Sequence, residues 1–178
     1  MLTQEIITFE DLSSAINNLL AIPNEYKGLK WTKISYMHES FALKKFPKSG
    51  YATSFMPGGS LHIAFFSEEA SISTQSSNET FNLVSLNASA AWNDDLQLTI
   101  SGYRNSTMVN NQNIILLFGR PQRISLPWKN IDKIVLRPSG GSVHPGSCDT
   151  PGAHVALTQL IIENLNENKT DSSSSIEN

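Results

Sequence analysis

The sequence predicts an all-β fold, an antiparallel β-sandwich or jelly roll with at most one short helix. Segment 95–101 alternates strictly between apolar and polar residues, which places Leu96, Leu98 and Ile100 on one face of a half-buried strand. Similar short stretches recur along the chain, separated by Gly, Pro, Asn and Asp. Helical apolar spacing with a plausible N-cap occurs only at 11–20, and Pro23 ends it quickly.

The predicted strands follow one another at short intervals. They lie at 5–9, 31–43, 61–66, 80–86, 95–101, 114–118, 131–136 and 155–162. About eight strands at this spacing are typical of two packed antiparallel sheets.

Two segments are predicted to lie outside the sheets. Segment 138–152 contains four Gly and three Pro, which exclude a central strand and a helix and predict a long exposed loop. Segment 164–178 has too little apolar content to offset the entropy of ordering, so we expect a disordered Ser/Asn-rich tail.

A chain of 178 residues has room for one core, and we therefore expect a single domain at 1–163.

Composition excludes several classes of function. Charged residues make up 16% of the chain and the net charge is -3, so neither nucleic acid nor a membrane surface is an expected partner. No apolar run is long enough to insert into a membrane. The first residues lack the pattern of a signal peptide, so a vacuolar or extracellular location would require a leader that this form of the chain does not show.

A series of short motifs carries a family resemblance. In order they are Phe9-Glu10-Asp11-Leu12, Tyr26-Lys27-Gly28-Leu29-Lys30-Trp31, Gly50-Tyr51 and Thr80-Phe81-Asn82-Leu83. Their order resembles that of bacterial and fungal extracellular β-sandwich proteins of unassigned function, over roughly residues 5–163. A narrower resemblance is to crystal-forming vacuolar proteins of zygomycete fungi. It implies a non-catalytic structural protein that self-assembles into a homo-oligomer or a lattice, and particles that sediment and report gravity.

The single cysteine, Cys148, is the residue on which an assembly mechanism would depend. It has no partner within the chain, and its Gly- and Pro-rich surroundings favour exposure, so two copies could form an intermolecular disulfide. Assembly would then respond to redox conditions. An inert, partly buried thiol is the plain alternative.

Three residues near the thiol, His144, Asp149 and His154, allow two further interpretations. An imidazole could activate Cys148 as a nucleophile with Asp149 as orienter, but the spacing matches no nucleophile motif. The same residues lack the paired chelate that zinc sites usually show. We therefore expect no enzyme activity, no metal and no cofactor.

A carbohydrate-binding module is the alternative function on the same fold. Trp31, Trp92 and Trp128 are candidate platforms for sugar stacking, and Tyr26, Tyr51 and Tyr103 are further candidates by residue type. Four Asn-x-Ser/Thr sequons are possible glycan acceptors: Asn78, Asn87, Asn105 and Asn168. Exposed rings on one face or in end loops would carry the binding.

Overall fold

Two antiparallel sheets packed face to face form the body of the protein. The computed structural model describes residues 2–55, 61–147 and 152–165. Every pair of strands within the described residues is antiparallel. The predicted β-sandwich is confirmed.

The larger sheet has seven strands in the order β11-β7-β14-β5-β4-β2, with β1 also paired to β14. Its strands are β1 (Leu2–Ile7), β2 (Leu20–Ala21), β4 (Ser35–His38), β5 (His62–Phe66), β7 (Phe81–Ala90), β11 (Gln122–Ile131) and β14 (Val155–Leu165).

The smaller sheet has five strands in the order β10-β9-β12-β6-β3. Its strands are β3 (Leu29–Thr32), β6 (Ala70–Thr74), β9 (Leu96–Arg104), β10 (Thr107–Leu116) and β12 (Lys133–Ser139). A separate two-stranded ribbon joins β8 (Asn93–Asp94) to β13 (Ser142–Val143).

The main core fills the space between the two sheets. Leu96, Leu98 and Ile100 of β9 are at most 1% exposed, which confirms the inward face that their alternation predicts. Ile134 and Leu136 of β12 lie beside them, and Leu86 and Leu160 face them from the larger sheet. Burial of such side chains is the main driving force for packing the sheets together.

A second core lies at one end of the larger sheet. It is covered by α1 (Glu39–Lys45) and α2 (Gly50–Thr53), and it contains Met37, Tyr51, Ile63 and Trp92. No helix among the described residues is long and apolar enough to cross a membrane.

The helix predicted at 11–20 is wrong. That segment forms turns, in which Leu12 and Ala15 are buried while Ile16 and Leu19 are exposed. Tyr36 donates its hydroxyl to the carbonyl of Ser13, which fixes the segment against β4 instead of leaving that carbonyl for a helical bond. Apolar spacing therefore gave the wrong local structure because a contact distant in sequence determines the conformation.

The strand predicted at 31–43 is divided among three elements, so the expected limit of one short helix is also wrong. β3 and β4 belong to different sheets, and Lys33 has a left-handed φ of 57° where the chain passes between them. Helix α1 then begins because His38 acts as its N-cap, with Nδ1 accepting a hydrogen bond from the backbone N–H of Ser40 at 3.1 Å. A short 3-10 turn at Tyr26–Gly28 precedes β3.

The predicted loop at 138–152 is a loop only in part. β12 continues through Pro138 to Ser139, and Ser142–Val143 form β13. Proline is tolerated there because β6 ends opposite Leu136, so β12 has a neighbour on one side only, β9, at Pro138. Residues 148–151 lie outside the described residues, and so does most of the predicted tail, 166–178.

Candidate functional site

The outer surface of the smaller sheet carries a group of polar side chains that we call the polar face. Since Leu96, Leu98 and Ile100 point into the core, alternation directs Thr99 and Ser101 to the outside. Strand register brings residues from the neighbouring strands alongside them. The polar face consists of Glu69, Thr99, Ser101, Tyr103, Asn111, Asn113 and Arg137.

Two asparagines of β10 are fixed by hydroxyl groups of β9. Thr99 lies opposite Asn113, and its hydroxyl donates to Asn113 Oδ1 at 2.7 Å. Ser101 lies opposite Asn111, and its hydroxyl donates to Asn111 Oδ1 at 2.9 Å. Neither amide nitrogen has a partner among the described residues, so two oriented N–H₂ donors remain available at an exposed surface.

Arg137 lies across the centre of the polar face. Its Nε donates to Glu69 Oε2 at 2.6 Å, and its Nη1 donates to the Ser101 hydroxyl at 3.4 Å. Hydrogen bonding to Tyr103, and secondarily to Glu69, raises the pKa of the Arg137 guanidinium. The guanidinium therefore stays charged, and Glu69, Ser101 and Tyr103 hold it in position.

The floor of the polar face is closed and its aromatic ring is half-buried. Ser101 and Val135 are buried although they point outward, at 1% and 3% exposure. Tyr103, at one end of the polar face, is of intermediate exposure. The result is a surface that offers amide, hydroxyl and guanidinium groups beside a phenol ring.

The three tryptophans predicted as stacking platforms belong to the cores. Trp31, Trp92 and Trp128 are 5%, 9% and 8% exposed. Trp31 donates its indole N–H to the Tyr26 carbonyl at 2.9 Å, Trp92 lies in the second core, and Trp128 packs directly over Gly102. That expectation is corrected, since a ring without an open face cannot stack on a sugar.

The other tyrosine candidates are also structural. Tyr26 donates to Asp11 Oδ1 at 2.6 Å and packs beside Trp31. Tyr51 is 2% exposed in the second core. Of the aromatic residues named from the sequence, Tyr103 is the one that the structure places on the polar face.

The two histidines near the thiol have separate partners. His144 Nδ1 lies 2.8 Å from Asp94 Oδ1, and its ring stacks on Phe118 with centroids 3.8 Å apart. His154 Nδ1 lies 2.9 Å from the Tyr51 hydroxyl, and burial lowers its pKa. The described residues include no group of three or more side chains suited to a metal ion. Cys148 and Asp149 lie outside the described residues.

The sequons differ in accessibility. Asn78 and Asn105 are exposed in turns, and Asn105 stands at the β9–β10 hairpin with a left-handed φ of 47°. Asn87 lies within β7, and its Oδ1 atom is buried. A glycan would therefore fit at the first two positions and not at Asn87. Asn168 lies outside the described residues.

Comparisons with known proteins add to the assignment of the fold. No family model and no curated protein matches the chain. The chain is similar to a solved DUF4465 family protein from Bacteroides ovatus, with a TM-score of 0.57, 10% identity, and coverage of 92% of this chain and 99% of the other.

A second solved structure is a more distant match. TmCBM61, solved in complex with β-1,4-galactotriose, gives a TM-score of 0.39 and 10% identity over 86% of this chain and 92% of its own. The narrower likeness to the zygomycete crystal protein octin has no support in these comparisons. The similarity to the Bacteroides protein establishes a β-sandwich fold of the type that the motif order implied.

Proposed function

We propose that this protein is a non-catalytic carbohydrate-binding β-sandwich whose ligand lies across the polar face. The observation that carries the proposal is the pair Asn111 and Asn113, whose side-chain oxygens are held by Ser101 and Thr99 while their nitrogens remain available. Arg137 and Tyr103 extend this row of groups along the sheet.

Sugars suit such a surface for chemical reasons. Each ring presents hydroxyl groups that both donate and accept hydrogen bonds, and a C–H face that packs against an aromatic ring. Amide, guanidinium and hydroxyl groups provide the complementary donors and acceptors. Because the polar side chains are already oriented by neighbours, less conformational entropy is lost on binding.

The charge at the centre of the polar face favours a neutral ligand. Glu69 and Arg137 pair with each other at 2.6 Å, so their charges offset one another. Lys133, an exposed cation opposite Tyr103 on the outward side of β12, lies at the margin. Glycoside hydrolysis ordinarily needs two carboxyl groups across the substrate, and the polar face as defined holds one, Glu69, already bonded to Arg137. Binding without turnover is therefore the function we assign. An extracellular location, one of the two expected from the sequence, suits a polysaccharide ligand.

A polysaccharide-binding assay with two variants tests the proposal. We expect the wild type to bind at least one neutral glycan on an array, and Asn113→Ala to weaken that binding by about fivefold, because one hydrogen bond contributes about 1 kcal/mol. Gln4→Ala is the matched control, since it removes an exposed amide from β1 in the other sheet. No binding to any glycan, or equal losses in both variants, would contradict the proposal.

Disulfide-linked assembly through Cys148 remains a prediction from the sequence. Comparing wild type with Cys148→Ser on non-reducing gels tests it. A covalent dimer that is present in the wild type and absent from the variant is the expected result, and identical migration of both as monomers would end that hypothesis.

A further inference from the structure

Strand β10 forms an outer edge of the smaller sheet. Its sequence, Thr-Met-Val-Asn-Asn-Gln-Asn-Ile-Ile-Leu, spans ten residues and contains no charged residue, no proline and no glycine. A strand at the edge of a sheet presents unpaired backbone N–H and C=O groups along one side, and proteins usually protect such an edge.

The other edge strands carry the usual forms of protection. β2 has two residues, and β3 has four, including Lys30. β1 contains Glu5. β11 contains Arg123, Pro127 and Lys129, and its pairing with β7 is interrupted by two register shifts. β10 therefore stands apart from the other edges of the described sheets.

The regular part of β10 is long enough to pair with another strand. One irregularity lies between Met108 and Asn110, and the register with β9 is then unbroken from Asn110 to Leu116. The Gln122 side chain covers the far end of the edge, because its Nε2 donates to the Ile115 carbonyl at 3.5 Å and its Oε1 accepts from the Leu117 N–H at 2.7 Å, so the stretch available for pairing is 110–114. Met108 and Ile115 are 52% and 49% exposed, so the strand also presents apolar side chains near both ends.

We propose that β10 pairs antiparallel with β10 of a second copy, forming a two-fold symmetric dimer with a continuous ten-stranded sheet. The strand suits itself as a partner because an uncharged edge meets its own copy without like-charge repulsion, and it offers no charge for attracting a charged partner. An antiparallel pair of identical strands has the two-fold symmetry that closes a dimer.

Dimer formation would also enlarge the polar face. Asn111 and Asn113 lie on the strand at its margin, so pairing would bring the corresponding asparagines of the second copy next to them on the same outer surface. One uninterrupted surface would then extend over both copies. The dimer itself rests on the chemistry of the strand edge and does not depend on carbohydrate binding.

Analytical ultracentrifugation of the full chain, under reducing conditions that exclude any Cys148 disulfide, tests the dimer. The test variant is the double substitution Met108→Lys and Ile115→Lys, which places charge on two half-exposed positions of β10. Ile6→Lys is the matched control, because Ile6 is 53% exposed on the edge strand β1. We expect a concentration-dependent dimer in the wild type and the control, and dimer affinity weakened by about tenfold or more in the double variant, because opposed like charges destabilise strand pairs.

A wild type that remains monomeric at every concentration measured would overturn the proposal, and so would equal weakening by Ile6→Lys. Hydrogen exchange then locates the interface. We expect amides within Thr107–Leu116 to become more protected as the wild-type concentration rises. A dimer that leaves their exchange unchanged would also overturn it.

Discussion

Tyr103 and Trp31 show how the same type of residue takes different roles according to where alternation places it. Tyr103 lies on the outer side of β9 and contacts Arg137, whereas Trp31 lies on the inner side of β3 against Phe9 and Tyr26. A sequence scan for aromatic rings finds both residues. The distinguishing signal is the alternation along β9, because Tyr103 falls on the same side of the strand as the polar residues of 95–101.

These two aromatic residues give opposite expected results on truncation. Trp31→Ala should lower the free energy of unfolding by about 3–5 kcal/mol, because it leaves a cavity in the main core. Tyr103→Ala should change stability by much less and weaken glycan binding. Chemical denaturation and a binding assay on both variants measure the two effects. Loss of stability from Tyr103→Ala as large as that from Trp31→Ala would show that Tyr103 is a core residue.

Two histidines, the buried His62 and the half-buried His154, make stability depend on pH. Burial lowers the pKa of His154 and of His62 below the ordinary value of 6.5, and for His62 the nearby His38 adds to the effect. The unfolded chain therefore takes up protons at a higher pH than the folded protein does. The stability that these neutral imidazoles contribute is fully present above pH 6.5 and is lost as pH falls towards their folded pKa values.

We expect the melting temperature to fall between pH 7 and pH 5, and His154→Asn to reduce the steepness of that fall. Asparagine retains an acceptor near Tyr51 and cannot be protonated in this range. Differential scanning calorimetry across the pH range makes the comparison. An unchanged pH dependence in the variant would contradict the assignment, and His62 should account for part of the dependence that remains.

At the scale of elements, the sequence predicted strands better than it predicted the connections between them. β9 was recognisable because its inner residues contact one continuous core, so burial and alternation agree. The turns at 11–20 depend on a contact with Tyr36, and helix α1 depends on the cap at His38. Neither interaction is contained in the local apolar pattern. β6, with the sequence Ala-Ser-Ile-Ser-Thr, was missed because its polar residues are short and its apolar content is low.

Helix α2 depends on a close approach to the larger sheet at Gly50. A β-carbon at this position would collide with the carbonyl oxygen of Ala90 and lie 2.9 Å from Cα of Ala91. The Gly50 N–H also donates to the Ala91 carbonyl at 2.7 Å. Glycine is thus required here because two backbones meet.

Gly50→Ala should therefore destabilise the fold by about 1–3 kcal/mol or more, as expected for overpacking. Gly28→Ala is the comparison: Gly28 has a φ of 68° and open space around it, so the cost there should be about 1 kcal/mol. Urea denaturation gives both values. A Gly50→Ala variant as stable as the wild type would mean that α2 does not pack as closely as described.

At the scale of the whole molecule, the two sheets have different surroundings. The larger sheet carries the second core and helices on part of its outer surface. The smaller sheet bears the polar face on its outer surface, together with the uncharged edge strand β10. The sequence predicted the sandwich but not this polar face, because the face depends on the order β10-β9-β12-β6, which local patterns do not specify.

The most direct test is an NMR titration of the labelled protein with a glycan that it binds on the array. We predict that the side-chain amide signals of Asn111 and Asn113 and the backbone signals around Tyr103 and Arg137 shift together and saturate with one affinity. Shifts concentrated around Asp94, Phe118 and His144, with the polar face unchanged, would contradict the assignment and place the ligand at the end of the sandwich.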